Sequence, residues 1–143
     1  MITGCAGFIG SSLANYLSKN DDYIIWGRDN LSKGDKKNLS KKVKFIKGDC
    51  ENDIVLNKIK KKKFFAILHF AGQSSGEISY NDPLKDFNDN LHTTIKLLTF
   101  AEKIKIKHFI FASSMGVYGD RSYIHNENIY CSPKSFYGTS KLA

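Results

Sequence analysis

The chain has 143 residues, 41% of them hydrophobic and 25% charged, with a formal net charge of +8; this is the composition of an ordinary globular chain, long enough for one domain with its own core. No apolar run reaches the roughly 18 residues of a membrane span, and the N-terminal residues lack the basic-then-apolar order of a signal peptide, so a cytosolic protein without a membrane partner is expected. Cys5, Cys50 and Cys131 are odd in number, widely spaced and without a CxxC pair, which excludes a disulfide framework and a zinc site and leaves three free thiols.

The chain opens on a short apolar stretch, Met1 to Thr3, followed at once by Gly4, Gly7 and Gly10 in a G-x-x-G-x-x-G loop. An amphipathic helix is expected over Phe8 to Lys19. Backbone amides at such a helix N-terminus can meet a pyrophosphate, and glycines keep side chains out of its way. Phe8 and Ile9 share this assignment to a dinucleotide cofactor. A second strand is expected at "YIIW", Tyr23 to Trp26, and just beyond it stands Asp29, 19 residues after the last glycine. A carboxylate there can accept hydrogen bonds from the adenosine ribose hydroxyls, which favours NAD over NADP, with Asn30 beside it. Arg28 is either a guanidinium suited to a 2′-phosphate or a surface arginine.

From Lys33 to Lys63 the chain carries twelve lysines, no arginine and four acids, so this segment alone accounts for the net charge. Without arginine for bidentate phosphate contacts or interleaved aromatics for base stacking, it reads as a solvated face and not as a nucleic-acid site. Strands are expected at Val43 to Ile46, Phe64 to Phe70 and His108 to Ser114, each short, apolar and bounded by turn or charged residues, as strands buried on both faces are. Helices are expected at about Asp53 to Lys62 and over Leu84 to Ile104, where Leu84, Phe87, Leu91, Ile95, Leu98 and Ala101 recur at spacings of three and four. The alternation predicts an α/β fold, a doubly wound parallel sheet of Rossmann type in one domain. His69 ends an apolar strand and suits either a cofactor contact or a hydrogen-bonded core histidine; His92, His108 and His125 show no metal spacing, and no metal is expected. The polar stretch from Tyr118 to Pro133 suits a substrate-facing loop or a plain connection.

Near the end, "SFYGTSK" places Tyr137 and Lys141 at i and i+4, on one helix face. A phenol of ordinary pKa is a poor base at neutral pH. An ammonium about 4 Å away, at an effective dielectric near 20, is worth about 4 kcal/mol toward the phenolate. Ser114, 23 residues before Tyr137, closes a strand at the sheet edge where α/β ligands bind, and its hydroxyl can orient a substrate oxygen toward the phenol.

Together "TGCAGFIG", "DNLSKG", "GDCEND", "ILHFAGQSS", "DNLHTTIKLL", "FASSMGVYG" and "YGTSK" resemble, in order and spacing, the extended short-chain dehydrogenase/reductases. Within them the chain is similar to the NAD-dependent epimerase/dehydratase group, above all the nucleotide-sugar epimerases of the UDP-glucose 4-epimerase type. The resemblance implies that Asp49 sits by the adenine and that Cys50 follows it with its backbone. It also implies that Phe70, Ala71 and Gly72 border the dinucleotide, and that Asn90 supports the site. Ser114, Tyr137 and Lys141 would be catalytic: Tyr137 takes a sugar hydroxyl proton as hydride passes to the nicotinamide, Ser114 holds the oxygen, and Lys141 holds the ribose and tunes Tyr137. The keto sugar would then rotate before hydride returns to its other face. Family epimerases often carry a lysine just after the "FAG" segment, whereas Gln73 and Ser74 follow here. Dehydratases of the family place an Asp-Glu pair after the catalytic hydroxyl, and Met115 and Gly116 stand in those positions.

The resemblance further implies a nucleotide-sugar substrate, a homodimer, and more chain than these residues supply. The first strand is clipped to about three residues, and the sequence stops two positions beyond Lys141. The expectation is therefore an N-terminal piece of the enzyme, cut at both ends, lacking the C-terminal substrate-binding part and inactive alone. The alternatives are a non-catalytic dinucleotide-binding remnant and a nucleotide-sugar reductase or dehydratase of the same family.

Overall fold

The structure, a computed structural model, describes residues 1–52, 56–57, 59–120 and 126–143. It groups them into two compact units, Met1–Ala71 with Lys96–Ala112, and Gly72–Ile95 with Ser113–Ala143.

The first unit holds one sheet. Its strands are β1 (Ile2–Thr3), β2 (Trp26–Asp29), β3 (Lys44–Lys47), β4 (Ala66–His69) and β5 (His108–Phe111). They are all parallel, in the order β3-β2-β1-β4-β5, the doubly wound order expected of a Rossmann-type sheet. Helix α1 (Phe8–Leu17) follows the glycine loop. Ile2, Cys5, Ala14 and Val43 make one apolar cluster; Cys50, Leu56, Ile59, Ile67, Leu97, Phe100 and Ala101 make the other. Leu97 is completely enclosed, so Leu97→Ala is expected to cost about 2–5 kcal/mol, read as a lower urea midpoint at unchanged m-value.

The second strand lies three residues later than the apolar run suggests. Tyr23 and Ile24 are exposed, at 56% and 67%, whereas Gly27, Arg28 and Asp29 are buried in β2. Apolar character misplaces this strand because its interior positions hold polar side chains that bond within the protein. Across the middle of the sheet, pairing aligns Ile46, Arg28, Thr3, His69 and Phe111. The Thr3 hydroxyl and His69 Nδ1 share a hydrogen bond of 2.6 Å.

The second unit contains α2 (Gly76–Asn81), α3 (Pro83–Phe87), a π-helical turn at Asn88–His92, the start of α4 (Thr93–Lys103), a 3₁₀ turn at Met115–Val117 and α5 (Phe136–Leu142). The single helix expected over Leu84 to Ile104 thus runs from Pro83 to Lys103 with a π turn inside it. Asp82 caps α3 through the Lys85 N–H, with Pro83 in the first turn, as an N-terminal proline favours. At the π turn Thr93 Oγ1 donates to the Asn88 carbonyl at 3.0 Å, and Thr94 Oγ1 to that of Asn90 at 2.6 Å; such hydroxyl bonds occupy carbonyls where the ladder changes pitch. In the helix expected from Asp53 to Lys62, Leu56, Asn57 and Ile59 are helical; positions 53–55 and 58, like His125 and the middle of the Tyr118 to Pro133 segment, lie outside the described residues.

Candidate functional site

In the first unit the glycine loop turns tightly against the end of β4. Gly4 has φ +66°, a conformation that L side chains rarely adopt, and a Cβ on it would stand 2.6 Å from the Ala71 nitrogen and 2.7 Å from the Phe70 carbonyl carbon. Phe70 donates its N–H to the Thr3 carbonyl at 3.1 Å, which holds that segment beside the loop. Helix α1 then begins just after Gly7 with no side-chain cap and no acid in its first turn. Its first amides are therefore left for an external acceptor, and the helix dipole favours an anion there. Phe8 and Ile9 are exposed at this end, Phe8 at 89%.

Asp29 is the last residue of β2, not a residue beyond it, and it is buried. Its Oδ2 accepts from the Ala6 N–H at 2.9 Å and its Oδ1 from the Leu31 N–H at 2.8 Å. The carboxylate therefore braces the glycine loop, and each oxygen keeps a further lone pair for a hydroxyl. Asn30 Nδ2 donates to Asp49 Oδ1 at 2.7 Å, joining the ends of β2 and β3. Arg28 is neither a surface arginine nor a phosphate ligand. It is fully enclosed, and its Nη2 donates to the Asp49 carbonyl. Burial lowers its pKa, and Cys50, Asp49 and Glu51 oppose that effect.

Cys50 is buried in the core, and burial raises its pKa to about 11; Cys5 is raised to about 12, chiefly by burial, with the Asp29 charge adding to it. Both are inert thiols, and Cys50 has only backbone to offer a ligand. His69 is a hydrogen-bonded core histidine, partnered by Thr3.

The second unit carries the other candidates. Ser114 caps the 3₁₀ turn, its Oγ accepting from the Gly116 N–H at 3.1 Å. Ser135 caps α5, accepting from the Gly138 N–H at 3.0 Å, and α5 presents Tyr137 and Lys141 on one face with Lys141 Nζ 6.0 Å from the centre of the Tyr137 ring. Gly116 links the two elements: a Cβ there would stand 3.4 Å from Ser114 Oγ and 3.8 Å from Tyr137 Cδ1. The serine hydroxyl and the tyrosine ring thus border the same small space. Lys141 is buried, and burial lowers its pKa while the charge of Asp86 acts to raise it.

Gly72 and Asn90 meet in this unit as well. A Cβ on Gly72 would press on Asn90 Oδ1 and lie 3.4 Å from Lys141 Nζ. Gln73 is buried and turns inward to Asp86. Asp86 itself went unnoticed in the sequence because it sits inside the apolar stripe of Leu84 and Phe87. Its signal is the Asp-x-x-x-Asn spacing to Asn90, which puts both on one helix face.

The family model described as the NAD dependent epimerase/dehydratase family matches residues 1–143. The chain belongs to that family. A putative UDP-glucose 4-epimerase of Methanocaldococcus jannaschii is 38% identical over 144 residues, covering 99% of this chain and 47% of that protein. Among solved structures, the UDP-Glc/GlcNAc 4-epimerase of Campylobacter jejuni is 32% identical with a TM-score of 0.92, covering 99% of this chain and 45% of that one. UDP-glucose 4-epimerase from Brucella ovis in complex with NAD is 31% identical with a TM-score of 0.92, covering 99% and 43%. The chain therefore spans less than half the length of these relatives.

Proposed function

We propose that this chain carries the dinucleotide-binding and proton-transfer parts of an NAD-dependent nucleotide-sugar epimerase of the UDP-glucose 4-epimerase type. The observation that carries the reading is the arrangement on α5 and the 3₁₀ turn: Lys141 Nζ over the Tyr137 ring, and Ser114 Oγ and that ring both beside the Gly116 Cβ position. In this reading Tyr137 takes the sugar hydroxyl proton as the carbonyl forms and gives it back after the sugar turns over. Ser114 holds the sugar oxygen, and Lys141 supplies positive charge beside the phenol. NAD, when bound, accepts and returns the hydride.

The residues of the first unit suit NAD. The uncapped start of α1 suits its pyrophosphate, and Asp29, with lone pairs to spare, suits the adenosine ribose, beside Asn30 and Asp49. Arg28 favours NAD over NADP because its guanidinium is turned into the protein and offers nothing to a 2′-phosphate. Met115 and Gly116, where dehydratases need an acid and a base, favour epimerisation over loss of water. Homodimer formation and a cytoplasmic location belong to this reading through the family resemblance.

The decisive test incubates the whole protein with NAD and UDP-glucose and follows the sugar by NMR. Appearance of the 4-epimer is expected, and its absence with cofactor bound overturns the reading. Asp29→Ala is expected to weaken NAD binding about 10- to 100-fold by calorimetry, the worth of a charge-assisted hydrogen bond, and NADP binding far less. Equal losses would remove the ribose assignment.

A further inference from the structure

The second unit contains a carboxylate with no exposed surface, that of Asp86. Gln73 Nε2 donates to its Oδ1 at 2.9 Å and Asn90 Nδ2 to the same oxygen at 3.1 Å; Ser140 Oγ donates to its Oδ2 at 2.5 Å. Asn90 Nδ2 also reaches Ser140 Oγ at 3.2 Å, which closes the ring of bonds. All three donors are neutral. Hydrogen bonds lower the cost of enclosing a carboxylate, but a buried charge is strongly favoured only when an opposite charge faces it.

Among the described residues, none of the other charged or titratable groups on the elements packed against α5 is buried, His92 and Asp89 on the π turn included. Glu77 and Asp82 carry the wrong sign, and both are exposed. Lys85 is exposed and bonded to Asp89 at 2.8 Å. Among the described residues of this unit Lys141 is a buried cation, and the Gly72 Cβ position that presses on Asn90, a donor to Asp86, lies 3.4 Å from Lys141 Nζ; the charge of Asp86 opposes the effect of burial on it. The backbone agrees with this placement. Ser140, tied to Asp86, immediately precedes Lys141, and the Lys141 carbonyl accepts from Ser113 Oγ at 3.3 Å, so the end of α5 is fixed on both sides of the residue whose ammonium lies over Tyr137.

We propose that Asp86, braced by Gln73, Asn90 and Ser140, is a positioning residue for Lys141: the fixed negative charge that keeps its ammonium charged and in place. Gln73 supports the carboxylate where a lysine would compete with Lys141 for it. The inference rests on the reading of Lys141 as the partner of Tyr137.

The test is side-chain NMR titration of the whole protein with labelled lysine, the Lys141 signal being assigned by its loss in Lys141→Met. In Asp86→Asn, which keeps the shape and removes the charge, the Lys141 midpoint is expected to fall by about one pH unit or more while exposed lysines stay where they were, since an opposite charge within reach shifts a midpoint by about 1–3 units. A purely structural brace would lower the melting temperature and leave the Lys141 midpoint alone, and that result overturns the proposal. Should Asp86→Asn not fold, Asp86→Ser is the second neutral variant, and the same fall of the Lys141 midpoint is expected in it. An unmoved Lys141 midpoint there overturns the proposal. The Lys141 midpoint does not depend on turnover. A Tyr137→Phe protein that still epimerises would therefore remove the proposed reaction and leave the Asp86–Lys141 coupling standing, whereas unmoved midpoints beside an inactive Tyr137→Phe would remove the coupling alone.

Discussion

Tyr137→Phe is expected to lower turnover of the whole protein at least about 10²–10⁴-fold, the usual worth of a positioned acid-base group, while leaving NAD affinity within a small factor of the parent. The change deletes one oxygen and keeps the ring. The ring's contacts, with Lys141 Nζ over its face and the Gly116 edge nearby, survive, so the loss reports on proton transfer and not on packing. Initial rates with UDP-glucose, set beside calorimetric NAD binding, check this. Retained turnover would remove Tyr137 from the reaction, and a parallel loss of NAD affinity would mean that the hydroxyl serves binding instead.

The other large effect is expected in the first unit. A Cβ on Gly10 would run into the Gly4 carbonyl, with its carbon at 2.8 Å and the Cys5 Cα at 2.9 Å. These are backbone atoms, which cannot swing aside as the tip of a side chain can. They also belong to the loop whose amides face the proposed pyrophosphate. Gly10→Ala is therefore expected to cost about 1–3 kcal/mol or more, a large part of an ordinary domain's stability, and to abolish measurable NAD binding even below the melting transition. Gly76→Ala provides the control, since nothing lies within 4 Å of its Cβ position and alanine is the better helix former. A Gly10→Ala protein that melts and binds like the parent would show that the loop opens without cost.

The parts of the fold that were legible in the sequence are those governed by local rules. The glycine loop, the strand–helix alternation and the Tyr137–Lys141 spacing all appear where patterning places them, because a tight turn, an apolar strand and an i,i+4 helix pair each depend on a few neighbouring residues. What escaped depends on distant partners. Arg28 reads in sequence as either a 2′-phosphate ligand or a surface arginine because nothing near it reveals that the Asp49 carbonyl receives its guanidinium. Trp26–Asp29 was misplaced because a strand with an enclosed arginine and aspartate lacks the apolar run that marks such strands. The π turn at Asn88–His92 hid because the spacing of threes and fours runs straight through it, and spacing alone does not reveal an i→i+5 turn. Asp86 escaped because Gln73 and Ser140 are 13 and 54 residues from it, and only the fold brings them together.

The hydrogen bond between Thr3 and His69 has a consequence for how the sheet assembles. β1 contributes only two residues to the middle of five strands, too few for main-chain pairing alone to distinguish correct from shifted alignments. Sliding a strand by one position turns its side chains to the opposite face, which would part the Thr3 hydroxyl from the imidazole that meets it at 2.6 Å and from the Ala71 N–H that donates to it, at about 1–3 kcal/mol for a buried hydroxyl so deprived. The polar pair thus acts as a proofreading mark: the central strand is held in its slot less by how much it binds there than by how costly it is to sit anywhere else.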